Sequence, residues 1–323
     1  MQLRQLEHFE AVYRLRNYTH AASEQHLTQS ALTRSIQALE TSLGQRLFDR
    51  STHGVEPTPT AEALIPHAID TLASARALRD AVGALKGEIT GSIAIGTGPY
   101  PAHPLMSRVI RMLSASHPDL QVALVGGAAS DLLAGLVGRQ LDFVVCDTSK
   151  LEESPFAEQM RAIELPHEPL VFVAGAENPI VATEPTLPEL AACPWALPPV
   201  APKGRRYLPR TFVGIQRSRF PFYEMETTTA CLEATRDQRT ITLVPLSVAM
   251  IECPHRGLRY RLAGPQQRTN DGIHVLRART PSVAATTAIA MVEQEAARIA
   301  EAGRRWRSKA PTAGWSSVWS RSS

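Results

Sequence analysis

Five polar side chains near the start of the chain could hydrogen-bond to the base edges of DNA. Arg34 could bind a guanine with two hydrogen bonds, and Gln29 or Gln37 could pair with an adenine in the same way. Ser30 and Thr33 are short enough to approach the bases closely. This set predicts a surface that reads double-stranded DNA. The alternative is the solvated polar face of an ordinary helical bundle, because such patterns have many false positives.

A helix with one apolar side must present these residues. Four apolar residues recur at helical spacing and predict a single stripe: Leu32, Ile36, Leu39 and Leu43. Thr28 is the expected N-cap of this helix, and Thr19 is the expected N-cap of a shorter helix before it. The free N–H groups at these two helix starts could hold phosphates. A further helix would complete a helix-turn-helix unit through the apolar face Leu6, Phe9, Val12 and Tyr13.

A small β-hairpin, or wing, is expected directly after these helices. The segments Leu47–Arg50 and Val55–Thr58 flank a turn in which Gly54 takes the tight position. Arg50 and His53 would then face the phosphate backbone of DNA. The hairpin strengthens the prediction of DNA binding.

A long helix is predicted from about Thr60 to Leu85. Its apolar residues step by three and four, close to the heptad spacing of a coiled coil: Leu64, Ala68, Leu72, Ala75, Leu78, Val82 and Leu85. This seam favours pairing of two copies of the chain, with packing inside one chain as the alternative. Pro66 interrupts the seam and could kink the first turns of the helix.

Composition and charge limit the class of protein. The chain has 323 residues, enough for two or three compact units, and a net charge of only +3. Six arginines balance six acidic side chains in the first 60 residues, which argues against a DNA coat held by charge alone. The four cysteines are far apart, as expected for reduced thiols in the cytoplasm. No apolar run approaches the roughly 20 residues that span a bilayer, so we expect no membrane partner.

Residues 1 to about 85 resemble the LysR-type transcriptional regulators. The resemblance rests on Phe9, Ala21–Ala22, Leu27, Gln29–Leu32, Arg34, Ile36, Leu39–Glu40, Leu43–Gly44, Leu47–Phe48, Arg50, Thr58, Thr60–Ala61 and Leu64. It implies binding as a dimer or tetramer to a roughly palindromic DNA site. It also implies control of transcription, with RNA polymerase as a partner, by a small organic effector and no other cofactor. Glu62 departs from the family, which usually carries glycine there, and we expect it to affect helix geometry more than base reading.

The second half of the chain alternates strands with helices, which predicts a parallel α/β sheet. Strands are expected at 93–96, 122–125, 143–145, 170–174, 222–226, 241–245 and 273–278, and helices at 105–116, 132–137, 228–235 and 282–302. A basic tail at 303–323, rich in serine and tryptophan, is expected to be disordered.

Residues 87 to about 302 resemble the effector domain of the same family, mainly in the order of their elements. The resemblance implies a fold like that of the periplasmic binding proteins, with two α/β lobes between which the chain crosses twice. The implied division is a winged helix-turn-helix at 1–59, a linker helix at 60–86, lobe one at 87–162 and 268–302, and lobe two at 163–267.

The resemblance places the effector in the cleft between the lobes, against strand ends and one helix start. Lobe one would contribute Thr97, Gly98, Pro99, Tyr100, Gly127, Ala128 and Thr148, and lobe two would contribute Pro198, Pro199, Thr227, Thr228 and Thr229. Threonine hydroxyls beside free N–H groups suit a carboxylate, so an organic acid is the predicted ligand, with simple N-capping as the alternative role. Gln238–Thr240 stands where many relatives carry a Gly-x-Gly turn, so we expect the pocket floor to differ locally.

Two other classes of function stay open. An enzyme with an appended DNA-binding unit would need a catalytic motif, and the sequence contains no metal-ligand cluster, Gly-x-Ser-x-Gly turn or phosphate loop. An architectural DNA-binding protein without a ligand would have no need of two α/β lobes.

Overall fold

The start of the chain folds as three short helices, a β-hairpin and one long helix. The computed structural model describes residues 1–51, 54–85, 89–152, 154–181, 185–198, 223–263 and 267–309. Its first unit, Met1–Gly91, contains α1 (Leu3–Leu15), α2 (Tyr18–Glu24), α3 (Gln29–Leu43), β1 (Phe48–Ser51), β2 (Gly54–Pro57) and α4 (Pro59–Leu85). The predicted helix-turn-helix, wing and long helix are confirmed. Gly54 was expected in the turn of the wing, but it begins strand β2 opposite Ser51, so that part of the prediction is wrong.

A single apolar core joins the elements of the first unit. Leu32, Ile36 and Leu39 are buried in it, as the helical spacing predicts. Leu43 was expected to complete the stripe, but it is 37% exposed, so that prediction is wrong. Helix α3 ends at this residue because Gly44 adopts a left-handed φ of 67°, a conformation that glycine reaches without strain.

The structure describes three sheets with their covering helices in the second unit, Ser92–Ser323: one of five strands, one of three and one of two. Lobe one contains β3 (Gly91–Thr97), a π-helical turn (Ala102–Met106), α5 (Ser107–Ser116), β4 (Leu120–Gly126), α6 (Ala129–Val137), β5 (Phe143–Asp147), α7 (Ser149–Glu152), β6 (Met160–Glu164), β12 (Asp271–Leu276) and α11 (Val283–Lys309). Lobe two contains β7 (Leu170–Gly175), α8 (Leu187–Ala192), β8 (Ala196–Leu197), β9 (Tyr223–Glu224), α9 (Thr228–Ala234), β10 (Ile241–Pro245), α10 (Leu246–Arg256) and β11 (Leu258–Leu262).

Neither of the two larger sheets is purely parallel, so the prediction of a parallel sheet is wrong for both, although the short β8–β9 pair is parallel. In lobe one the strand order is β4-β3-β5-β12-β6, with β3 parallel to β5 but β12 antiparallel to both of its neighbours. In lobe two β7 lies between β10 and β11 and runs antiparallel to both. The chain leaves lobe one through β6 and returns through β12 from the same side, so these two strands must run in opposite directions.

Two antiparallel segments carry the chain between the lobes. The N–H of Leu165 donates to the carbonyl of Asp271 at 3.1 Å, and the N–H of Thr269 donates to the carbonyl of Glu168 at 2.8 Å. Strand β6 continues to Glu164, so the first crossover begins just after the predicted lobe boundary at 162. The hinge between the lobes is therefore a short, hydrogen-bonded ribbon.

Helix α11 is longer than the sequence predicts. Residues 303–309 were assigned to a disordered tail, but they continue the helix, so that prediction is wrong for this segment. The extension is held by lobe two: Trp306 packs on Tyr260 with 5.8 Å between ring centroids, and Gly303 is buried. The rest of the predicted tail, 310–323, lies outside the described residues. No helix within the described ranges is both long and apolar enough to cross a bilayer.

Candidate functional site

The exposed face of α3 carries the predicted base-reading side chains. Gln29, Ser30, Arg34 and Gln37 are exposed, and Thr33 is half-buried. The Thr33 hydroxyl donates to the carbonyl of Gln29 at 2.8 Å, so its proton is used within the helix. No described side chain forms an ion pair with Arg34. Its guanidinium can therefore offer its donors to a partner outside the chain.

Helix α3 starts as predicted, whereas α2 does not. The Thr28 hydroxyl accepts the N–H of Ala31 at 3.3 Å and so caps α3. Helix α2 is capped by Asn17, whose side-chain oxygen accepts the N–H of Thr19 at 2.8 Å. The prediction of Thr19 as the N-cap is wrong because Asn, a strong N-cap residue, precedes it at the extended position.

The wing is fastened to α3 by a carboxylate. Strands β1 and β2 pair antiparallel, with Arg50 opposite Val55. The Glu40 side chain accepts the N–H of Leu47 at 2.7 Å and that of Phe48 at 3.3 Å, which fixes where β1 begins. His53 and the side chain of Arg50 lie outside the described residues, so their predicted phosphate contacts stay predictions.

Replacing Glu40 with alanine is expected to loosen the wing. Two partly buried N–H groups would lose their acceptor, which costs about 1–3 kcal/mol of stability. The midpoint of thermal unfolding, followed by circular dichroism, should fall, and Glu40→Gln should lose less because it keeps one carbonyl acceptor. Equal midpoints for the alanine and glutamine variants would contradict this role.

Glu62, the departure from the family pattern, joins α4 to the end of α1. It accepts the hydroxyl hydrogen bond of Tyr13 and lies 3.7 Å from the guanidinium of Arg16. Arg16 in turn lies over the Tyr13 ring, 4.4 Å from its centroid. The hydrogen bond to Glu62 and partial burial raise the pKa of Tyr13. These contacts join α1 to α4 and involve no residue of α3, which fits the predicted effect on helix geometry.

The apolar seam of α4 divides into two parts. Ala68 and Leu72 are buried in the core of the first unit, so they pack within one chain. Leu78 and Val82 are 69% and 50% exposed. The helix itself runs unbroken past Pro66. The first half of α4 thus packs within its own chain, as one alternative predicts. The second half leaves an apolar surface exposed, as pairing of two copies requires.

In the second unit, two of the predicted effector residues bond across the lobes. The Tyr100 hydroxyl donates to the carbonyl of Leu243 in β10 at 3.0 Å. The Thr228 hydroxyl donates to the carbonyl of Pro99 at 2.9 Å. Each bond joins one lobe to the other, so a ligand that moves the lobes apart must break both bonds.

The other predicted effector residues have separate positions. Near β3, Thr97 is buried and Gly98 donates to the carbonyl of Val145 at 2.8 Å, while the N–H of Gly127 reaches the carbonyl of Thr97 at 3.3 Å. The remaining positions are Ala128 before α6, Thr148 bonded to the carbonyl of Asn270, Pro198 in the interior, Thr227 as the N-cap of α9 and Thr229 exposed. Pro199 lies outside the described residues.

The turn without the family's glycines is made by polar side chains. Gln238 takes a left-handed φ of 65°, the conformation that glycine would supply without strain. Asp237 fixes the turn by accepting the N–H groups of Arg239 and Thr240 at 2.9 Å and 2.6 Å. The backbone therefore still forms a tight turn here. These hydrogen bonds help to hold the pKa of Asp237 below its usual value.

A cavity at the hinge was not predicted from the sequence. Among its lining residues, Glu168 lies on the first crossover segment and Asp271 is the first residue of β12, where the second crossover ends. Burial raises the pKa of each carboxyl to about 7, and for Asp271 the neighbouring Asp147 and Glu168 add to the effect. The acids are far apart in the sequence, so no local pattern could have shown that they meet.

The free energy of unfolding of the second unit is expected to fall as the pH rises toward about 7. The folded pKa values of Glu168 and Asp271 are raised, so the folded state holds more protons than the unfolded state between about pH 4 and pH 7. Ionising each carboxyl costs on the order of 3 kcal/mol. Urea titrations between about pH 5 and pH 8 measure this, since all four tryptophans lie in this unit. Asp271→Asn should flatten the dependence of the free energy of unfolding on pH. An unchanged pH dependence would contradict the raised pKa of Asp271.

Burial makes the cysteines poor nucleophiles. The pKa values of Cys231 and Cys253 are raised to about 12, and burial also raises that of Cys146. Little reactive thiolate therefore forms at these three positions near neutral pH. Within the part of the chain that the structure describes, no group of three or more His, Cys, Asp or Glu residues could hold a metal ion.

Curated relatives of this chain are named as regulators. It is 34% identical over 197 residues to the SDS degradation transcriptional activation protein of a Pseudomonas species, covering 60% of this chain and 63% of that one. It is 42% identical over 130 residues to the HTH-type transcriptional regulator ShiR of Corynebacterium glutamicum, covering 39% and 43%. The alignments thus span about half the length of these relatives.

Solved structures share the fold. Full-length CbnR in complex with its target DNA gives a TM-score of 0.58 at 22% identity, covering 93% of this chain and 100% of that one. A full-length OxyR variant from Pseudomonas aeruginosa gives 0.62 at 20% identity, covering 92% and 94%.

Two family descriptions match the two units in turn. Residues 3–62 match the bacterial regulatory helix-turn-helix protein, lysR family, and residues 86–297 match the LysR substrate binding domain. The second match alone covers more than half of the chain, and both agree with the elements described above. The chain belongs to the LysR family.

Proposed function

We propose that this protein is a transcriptional regulator that binds specific DNA sequences through α3 and responds to a small organic effector. The geometry of α3 carries the proposal. Leu32 and Ile36 anchor the helix in the core, while Arg34 and Gln37 stay exposed on its other side. An α-helix presented in this way fits the major groove with its polar residues against base edges. Regulation would act on RNA polymerase at a nearby promoter.

Binding titrations test the DNA part of this proposal. Duplexes recovered by repeated selection from random DNA should bind the full chain at least about a thousandfold more tightly than the starting pool. Equal affinity for both would favour an architectural DNA-binding protein instead.

Pairing of two copies would double the recognition surface. Leu78 and Val82 leave an apolar strip exposed on α4, and a second copy could cover it. Two α3 helices related by a two-fold axis would read a roughly palindromic site with half-sites about one helical turn apart. Pairing through α4 alone would give a dimer, and a tetramer would need additional contacts outside this helix.

The effector would act by shifting the balance between lobe arrangements. The Tyr100–Leu243 and Thr228–Pro99 hydrogen bonds hold the present arrangement, so a ligand between the lobes must favour it or replace those bonds. The exposed Thr229 and the start of α9 support an organic acid as the ligand. The same ligand must then change DNA affinity by a coupling free energy of about 1–3 kcal/mol.

A thermal-shift screen tests the class of effector. We expect at least one small organic acid to raise the unfolding temperature of the second unit, and Thr228→Val to reduce that shift. A neutral sugar or a base that stabilises the chain, with no response to any acid, would contradict an acidic effector. It would leave the DNA part of the proposal standing.

A further inference from the structure

The hinge cavity lies where both crossover segments meet both lobes. Lobe one contributes Tyr100 and Leu105, lobe two contributes Ser247, and α11 contributes Ile299. The centre of a water-sized sphere can move through about 40 Å³ of this cavity, which is more space than a single water needs. Among the described lining residues, Tyr100 alone belongs to the predicted effector contacts, so the cavity is a separate candidate site.

One wall of the cavity is acidic and has no counter-charge. Glu168 and Asp271 both line it, and no basic side chain does so among the described residues. Asp271 also lies directly opposite Asp147 in the β5–β12 pair. Like charges that face each other across two strands are destabilising unless something neutralises them.

Glu168 is held in place as an acceptor. Its two carboxylate oxygens accept the hydroxyl and the N–H of Ser247, at 2.8 Å and 3.0 Å, at the start of α10. The carboxylate is thus fixed at the cavity wall by neutral donors. Each of its oxygens keeps a further lone pair for another donor.

Much of the remaining lining is apolar. It includes Leu105, Leu165, Ala296 and Ile299. A ligand that matched the acidic and the apolar parts of the lining would carry a positive charge with hydrogen-bond donors and a short hydrocarbon part. A carboxylate would meet only like charge in this cavity.

We propose that the hinge cavity binds a small organic amine, with its ammonium group held by Glu168 and Asp271. The bound cation would neutralise the acidic wall and bridge the two crossover segments. Because these segments join the lobes, occupancy would stiffen the hinge. The proposal rests on neither DNA binding by α3 nor an effector in the cleft, and its tests use the full chain without DNA.

Three probes with the same hydrocarbon chain separate charge from size. We expect n-butylamine to raise the unfolding temperature of the second unit near pH 8, where both carboxyls are ionised. Butan-1-ol has the same shape without the charge, and butyrate has the opposite charge, so neither should do so. Isothermal titration calorimetry measures the affinity directly. An equal shift with butan-1-ol, or no shift with n-butylamine, overturns the proposal.

Two variants and one control locate the site. Asp271→Asn and Glu168→Gln should each weaken n-butylamine binding by about tenfold or more, because each removes a charge-assisted hydrogen bond. Glu293→Gln removes an exposed carboxyl of α11 outside the cavity and should leave affinity unchanged. Circular dichroism confirms that each variant is folded. Unchanged affinity in both cavity variants overturns the proposal.

The pH dependence of binding gives an independent readout on the unaltered chain. The ionisable groups that interact with Asp271 are Asp147 and Cys146 from β5, Glu168 from the crossover and Tyr100 from lobe one. Ala296 and Ile299 of α11 also line the cavity. As the pH falls from about 8 to 5 the two cavity carboxyls take up protons, so n-butylamine affinity should fall by about tenfold or more. Constant affinity over this range contradicts an ionic site.

Discussion

Replacing Arg34 with alanine is expected to lower affinity for the selected DNA site by about 1–3 kcal/mol, which is roughly fivefold to 150-fold. The side chain lies on the exposed face of α3, and no described residue pairs with it. Its two parallel donors match the O6 and N7 acceptors of guanine, so their loss should relax the preference at one base position. Fluorescence anisotropy with the selected duplex and single-base variants of it measures both effects.

The matched control is Arg34→Lys. Lysine keeps the positive charge but loses the planar fork, so base discrimination should fall while general DNA attraction is kept. Repeating the titrations at several salt concentrations counts phosphate contacts separately. If Arg34→Ala weakens binding to all duplexes equally and lowers the slope of log affinity against log salt concentration by about one, Arg34 contacts phosphate. The base-reading assignment would then be wrong.

Placing aspartate at both Leu78 and Val82 is expected to separate paired copies and to lower affinity for a two-half-site duplex by about a hundredfold or more. Both side chains are largely exposed in the single chain, so the change should not destabilise the first unit itself. Two facing pairs of carboxylates would instead repel each other across the seam. Analytical ultracentrifugation measures the mass, and anisotropy measures the affinity.

Ala63→Asp is the matched control for the seam. It adds one carboxylate, against two in the double variant, at an exposed position of α4 outside the predicted seam. Assembly and DNA affinity should then match those of the unaltered chain. A double aspartate variant that stays paired would show that the copies associate elsewhere.

The winged unit could be predicted from sequence because its signals are local. Apolar spacing over Leu32–Leu39 defines one face of a single helix, and the buried side chains follow that spacing. The errors occur at element ends. Leu43 falls on the last turn, where the helix no longer covers the core, and Asn17 outcompetes Thr19 two residues earlier as a cap.

The second unit was predicted less completely because distant segments determine its sheets. Strands β6 and β11 are short and carry charged residues, so neither has the apolar run that identified β5 or β7. The antiparallel direction of β12 follows from the return of the chain from lobe two, which no local pattern records. The cross-lobe partner of Tyr100 is a backbone carbonyl, a group that every residue carries.

The hinge cavity shows the same limit at a candidate site. Glu168 and Asp271 lie on separate passes of the chain, and each alone is typical of a solvated acidic residue. Only the pairing of the two crossover segments places them around one space. By contrast, the candidate residues of α3 share one helix face, and spacing alone brings them together.

The spacing of the two half-sites tests most directly whether paired copies of α3 read DNA bases. The selected site is compared with versions in which about five or about ten base pairs are inserted between its half-sites. Five base pairs turn one half-site to the opposite side of the duplex, so affinity should fall steeply, and ten should restore part of it. Equal affinity for all three duplexes would contradict recognition by a paired α3.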